Sequence, residues 1–183
     1  GGVTAMIAQL TVTYEDGSHT VIPTDNRWES AESAVRFSEI YDGEIYDATF
    51  SEQNRKKTPR FHAPKTQLIP QEGEFVTEHE HIRPVRMFKT PKGETVIDFG
   101  QNITGYVSFD ICAKKGDRLC YSHAEILDCD GNFYTENLRS AKQRIVYICK
   151  EGRQSYKPHH TFMGFRYIRL DEFPPDISVD NFE

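Results

Sequence analysis

The 183-residue chain is poor in the features that mark whole classes of protein. It has four cysteines, Cys112, Cys120, Cys129 and Cys149, with no C-x-x-C pair, so zinc ribbons and thioredoxin-type motifs are excluded by spacing. So sparse a set reads as free thiols, because a disulfide framework belongs to an oxidising compartment and to a smaller, denser scaffold. Basic residues cluster no further than Arg55-Lys56-Lys57 and the net charge is −6, which leaves a phosphate backbone no surface to hold; no nucleic-acid partner is expected. No apolar stretch approaches the roughly 18 residues that span a bilayer, so no membrane partner is expected either. The N-terminus lacks the charged, apolar and small-residue segments of a secretion signal. It opens on Gly1-Gly2 without Met, as a piece of a longer protein would. Neither G-x-G-x-x-G nor G-x-x-x-x-G-K occurs, and there is no G-x-S-x-G, so phosphate loops and a serine nucleophile elbow are absent and no cofactor is expected.

What the chain does have is alternation. Hydrophobic residues make up 37%, with 12 glycines, enough for a packed core. Met6, Ala8, Leu10, Val12 and Tyr14 alternate with polar neighbours, Asp16-Gly17 supplies a turn, and His19 to Ile22 return as a hairpin. A second turn falls at Tyr41-Asp42-Gly43-Glu44. Residues 51–84 hold eleven charged residues, four prolines and little alternation, and are read as a linker between two sheets. Alternation resumes at Thr95, Ile97 and Phe99, then Val107, Phe109 and Ile111, then Leu119, Tyr121, His123 and Glu125, then Ile145, Tyr147 and Cys149, and ends in the aromatic run 162–170. Short strands at spacings of about 10 to 15 residues predict an all-β fold: an antiparallel, jelly-roll-like β-sandwich over 85–175, preceded by a partial second β-domain over 1–50. Residues 176–183 are read as the start of a connection to something further on.

Chemistry-bearing constellations are thin. His79 and His81 share a face of an extended segment but have no third ligand at a defined spacing, and His159-His160 would point to opposite faces of a strand; no metal site is expected. His123 and Glu125 fall on one strand face about 7 Å apart, which suits a hydrogen-bonded pair at the edge of a core better than an acid–base pair. Asp98, Glu125, Asp128, Asp130 and Glu136 could each serve glycoside hydrolysis, but 28 acidic residues guarantee chance neighbours. Tyr134, Asn137 and Arg139, after the Asp130-Gly131 turn, are the best carbohydrate-contact candidates.

Several segments together resemble the bacterial α-L-rhamnosidases. Residues 14–18 (YEDGS), 24–28 (TDNRW) and 38–48 (SEIYDGEIYDA) are similar to the closing part of that family's N-terminal β-domain. Residues 98–107 (DFGQNITGYV) and 122–127 (SHAEIL), with Asp130-Gly131, Tyr134 and 137–139 (NLR), are similar to the β-sandwich that follows, and 161–167 (TFMGFRY) to the strand that ends it. One departure is Ile145, where the family tends to have an acidic residue. The resemblance implies that Asp98, Gly100, Gln101, Asn102, His123, Glu125 and Arg166 form a structural motif. It also implies that the catalytic carboxylates lie outside this chain, in a downstream (α/α)6 barrel that inverts terminal α-L-rhamnosides. The chain is then a non-catalytic β fragment, lacking its first domain's opening strands, whose partner is that barrel and whose wider contacts are rhamnosylated glycans. A homodimer through the truncated edge is a further expectation. The competing readings are an autonomous carbohydrate-binding module, and a self-sufficient glycosidase using Glu125 with Asp98 or Asp128.

Overall fold

Alternating segments become strands and turn signals become turns, with few exceptions. The computed structural model describes residues 5–61 and 69–183. Six strands come first: β1 (Gln9–Thr13), β2 (His19–Pro23), β3 (Glu29–Ser30), β4 (Val35–Glu39), β5 (Gly43–Asp47) and β6 (Lys56–Lys57). Seven follow: β7 (Arg86–Lys89), β8 (Thr95–Gly105), β9 (Phe109–Ala113), β10 (Arg118–Ala124), β11 (Arg144–Ile148), β12 (Gly152–Tyr156) and β13 (Met163–Glu172). Among the described residues, helix is limited to two 3-10 turns, Glu136–Leu138 and Val179–Asn181. These residues fall into two units, 5–32 with 52–61 and 69–76, and 33–51 with 77–183.

In the smaller unit β1 and β2 form an antiparallel hairpin, in register from Gln9 opposite Pro23 to Thr13 opposite His19. The Asp16-Gly17 turn closes it: the Asp16 carboxylate accepts from the Ser18 N–H at 2.9 Å, and Gly17 takes φ +81°, where a side chain would be strained. β3 and β6 pair antiparallel, setting Glu29 opposite Lys57. Lys56 and Lys57 are therefore strand, where the charge and proline content of 51–84 had suggested linker throughout. The stretch 62–68 of that expected linker lies outside the described residues, and 77–84 belong to the larger unit.

The larger unit is built on a seven-stranded sheet in the order β4-β5-β11-β10-β13-β8-β7. Five of its six neighbouring pairs are antiparallel, and the exception to the antiparallel expectation is β5 with β11, parallel from Gly43 opposite Arg144 to Asp47 opposite Ile148. Residues 33–51, expected with the first domain, group with the larger unit: β4 is an edge strand of the large sheet and β5 lies between it and β11. Gly43 makes the junction close, for a Cβ there would sit 1.9 Å from the Arg144 carbonyl oxygen. β9 and β12 pair as a second layer. Phe109 of β9 meets Tyr147 of β11 edge-on, ring centroids 5.1 Å apart, across the interior of the sandwich.

One face of each strand fills the space between the layers. Ile97, Leu119, Tyr121, Ile145, Phe165 and Ile168 are fully buried there, and Tyr121 spends its hydroxyl on the Val107 carbonyl at 3.1 Å. Ile145, the departure from the family pattern, is one of these core residues and makes no polar demand. Residues 176–183 pack against the sandwich. Ser178 caps the Val179–Asn181 turn, Phe182 is buried, and Ser108 and Glu183 exchange backbone hydrogen bonds at 2.8 and 3.0 Å. The apolar Phe182 side chain needs cover, and the end of β9 provides it.

Candidate functional site

Asp98 is the node of the motif expected over 98–102. It lies on β8 with 1% of its surface exposed, yet it is charged and fully occupied. Oδ1 accepts from the Gly100 N–H at 2.8 Å and from Arg166 Nε at 2.9 Å; Oδ2 accepts from a second Arg166 nitrogen and from Arg86, both at 3.3 Å. Burial pushes this carboxyl up, and the bonds from Arg166 and the Gly100 N–H outweigh it, holding it below the usual range. Gly100 sits at φ +81° with a would-be Cβ 3.2 Å from Val85 Cγ1, so a bend is forced here. The bend is not a strand exit, because β8 runs on to Gly105 and the irregularity is absorbed by a register shift in β13 between Phe165 and Tyr167. Gln101 and Asn102 are exposed on its far side.

His123 and Glu125 do not pair. Strand β10 ends at Ala124, so the two-residue period that would have placed them on one face is lost at Glu125. His123 is buried between Tyr121 and Phe165, with ring centroids 5.4 and 4.9 Å away, and its Nδ1–H donates to the Gln143 carbonyl at 2.7 Å. Its Nε2 is buried without a partner among the described residues. Burial pushes the imidazole pKa down to about 4, so the ring is neutral. Glu125 instead accepts from Asn102 Nδ2 at 3.4 Å and Asn137 Nδ2 at 3.2 Å.

That link brings two motif residues, Asn102 and Glu125, to a contact candidate, Asn137. Asn137 and Arg139 are exposed and Tyr134 is half-buried. Arg139 ends the 3-10 turn at φ +58°. No described contact joins Tyr134 or Arg139 to the carboxamide cluster. The preceding turn is made by Asp128, whose Oδ1 accepts from the Asp130 and Asn132 N–H groups at 3.0 and 2.7 Å, and whose pKa these bonds lower.

A second buried carboxylate, Glu44 on β5, was not singled out from the residues. It is fully buried and accepts from the Tyr156 hydroxyl, from the His159 and His160 N–H groups at 3.0 and 3.2 Å, and from Ser38 at 3.1 Å. Burial raises it, and the bonds from Tyr156 and His159 bring it below the usual range. His159 and His160 lie in a bend after β12, not in a strand, because their amides are turned onto Glu44. The signal was Gly43 before it, a residue that brings β5 against β11 and so carries the next side chain inward. All four cysteines are free, Cys120 and Cys149 buried, Cys112 and Cys129 exposed. Among the described residues, no group of three or more His, Cys, Asp or Glu could hold a metal ion, and no helix is long and apolar enough to cross a membrane.

What this set of carboxylates can do is brace a sandwich. Asp98, Glu44, Asp128 and Glu94 are each committed to internal donors and each held below its ordinary pKa, the reverse of what a general acid needs. Comparison with known proteins agrees with this picture. The α-L-rhamnosidase N-terminal domain matches residues 1–98, and the bacterial α-L-rhamnosidase concanavalin-like domain matches residues 88–183. The chain belongs to the bacterial α-L-rhamnosidase family, as a β-domain portion. An α-L-rhamnosidase of Formosa agariphila is 33% identical over 180 residues, covering 92% of this chain and 19% of that protein. Among solved structures, Streptomyces avermitilis α-L-rhamnosidase complexed with L-rhamnose superposes with a TM-score of 0.82 at 29% identity, over 96% of this chain and 18% of that one. Native α-L-rhamnosidase from Aspergillus terreus gives 0.81 at 30% identity, over 96% of this chain and 22% of that one. The chain thus spans about a fifth of the length of the relatives it matches. The two family matches overlap at 88–98, inside β7 and β8, so the N-terminal match supplies strands β4, β5 and β7 to the large sheet.

Proposed function

We propose that this chain is the non-catalytic β portion of an α-L-rhamnosidase, a parent enzyme that hydrolyses terminal α-L-rhamnose from glycosides, and that its partner is the parent's own catalytic barrel. The observation that carries the reading is the combination of two accessory-domain matches that together span the chain with a set of buried carboxylates already spent on internal hydrogen bonds. Inverting hydrolysis needs one carboxyl that holds its proton and one that activates water across a cleft. Asp98, placed on two arginines and an amide, is suited to neither task, and Asp128 is bound into its own turn. Glu125, tied to Asn102 and Asn137, organises the exposed loop ahead of β11. That loop, through Tyr134, Asn137 and Arg139, is the surface we assign to contact with rhamnosylated glycans. The test is turnover of an aryl α-L-rhamnoside at high protein concentration across acidic to neutral pH. No turnover is expected; turnover that Glu125→Gln abolishes would overturn the reading.

A further inference from the structure

At the open end of the sandwich, strands β5, β11, β9 and β12 leave a cavity of about 610 Å³ that the bracing role does not use. A volume of this order holds one or two small rings. Its floor is a parallel stack: the His159 ring lies 5.5 Å from Tyr46 at 9° between planes, and Tyr46 lies 5.6 Å from Tyr147 at 2°. The His159 side chain is 46% exposed, so the end plate of the stack faces solvent. Tyr147, only 2% exposed as a residue, lines the cavity with a hydroxyl that makes no hydrogen bond among the described residues and is not sealed from solvent, so it opens onto the cavity. A phenol hydroxyl open to a concave wall can donate to, or accept from, a ligand as well as water. Lys150 and Asp180 on the rim carry a donor and an acceptor with no ion-pair partner among the described residues.

Charge selects among ligands. The lining carries Arg83, Lys150 and Lys157 against Asp110, Asp180 and Glu183, an even balance of three and three. A phosphate or carboxylate ligand would gain no net Coulombic attraction from such a wall. A ring with an apolar face for the aromatic stack and hydroxyls for mixed donors and acceptors would be satisfied on both counts.

We propose that this cavity is a binding site for a neutral pyranose ring, laid on the His159–Tyr46 stack with its hydroxyls toward Tyr147, Lys150 and Asp180. The site is separate from the Tyr134–Arg139 loop and does not depend on any hydrolytic activity of the parent enzyme. The test is an amide and side-chain NMR titration of the chain with L-rhamnose, D-glucose and inorganic phosphate as separate probes. Saturable shifts at Tyr46, Tyr147 and His159 are expected with at least one of the two sugars and not with phosphate. Tyr147→Phe, which keeps the ring and hence the fold, should weaken sugar binding about tenfold, as loss of one well-placed hydrogen bond does; unchanged dispersion of the amide spectrum confirms that the variant is folded. The proposal is overturned by no saturable shift with either sugar up to about 100 mM, by phosphate binding as well as sugar, by an unchanged midpoint in both Tyr147→Phe and Lys150→Ala, or by sugar shifts confined to Tyr134, Asn137 and Arg139.

Discussion

The two units of this chain use the same pattern of alternating residues and arrive at opposite burial. In the larger unit the apolar positions of β8, β10, β11 and β13 are sealed: Ile97, Leu119, Tyr121, Ile145 and Ile168 are all at 0% exposure. In the smaller unit Met6 is 68%, Leu10 58%, Val21 45% and Ile22 42% exposed on a hairpin whose register is just as regular. Alternation states that a strand has a face needing cover. It does not say what supplies the cover, and two strands with one layer cannot supply it for themselves. The larger unit is a finished sandwich; the smaller unit presents an apolar hairpin that still requires a partner surface.

Truncation should expose this contrast most strongly. Phe165→Ala, in the middle of the large core and packed against Phe99 and His123, should cost about 3 to 5 kcal/mol in a denaturant titration, whereas Leu10→Ala on the hairpin should change stability by less than about 0.5 kcal/mol. Equal losses would erase the distinction between the units.

The buried imidazole sharpens it through pH. His123 has a folded pKa of about 4 against 6.5 for the free ring, so the unfolded chain binds the extra proton first. Its contribution is complete above pH 6.5 and is lost as pH falls from 6.5 toward 4, to a total of roughly 3 kcal/mol. Asp98 and Glu44, whose pKa values are lowered, lose their contribution only as pH falls below the ordinary carboxyl range. Stability measured against pH should therefore decline across the histidine window, and His123→Leu should flatten that part of the curve. A flat wild-type profile there would contradict the burial of a neutral ring.

Two glycines at φ +81° offer a smaller contrast. Gly17, in the hairpin turn, has open space around it, whereas Gly100 faces Val85. Gly100→Val should cost roughly 1 to 3 kcal/mol by thermal melting, and Gly17→Val less, since only the backbone strain remains. The smallest effect in energy is association. The exposed hairpin face is expected to pair copies of the chain, so sedimentation at micromolar and tenfold higher concentration should show a rising average mass that Leu10→Lys abolishes.

Much of the larger unit could be read from residues alone. The alternating sets at 95–99, 107–111, 119–123 and 145–149 became core, and Asp98-Phe99-Gly100 became a hydrogen-bonded bend because glycine and a short carboxylate can make one. What could not be read was long-range. The parallel pairing of β5 with β11 joins segments about a hundred residues apart and has no local signature. The same holds for Glu44, whose donors on Tyr156, His159 and His160 arrive only once that pairing exists. The His123–Glu125 pair failed for a local reason, since the strand that would have set their period ends between them. The packing of Ile177, Val179 and Phe182 in 176–183 against the core was not legible either, because three spaced apolar residues in a polar stretch are too little pattern to announce what they cover.

Native-state hydrogen exchange on the whole chain tests the contrast most directly. Amides of β8, β10 and β13 should exchange only through global unfolding, while those of β1 and β2 open locally at far lower free energy under dilute, monomeric conditions. Hairpin amides protected to the same level as β10 in a strict monomer would show that the smaller unit is already covered, and would contradict the account.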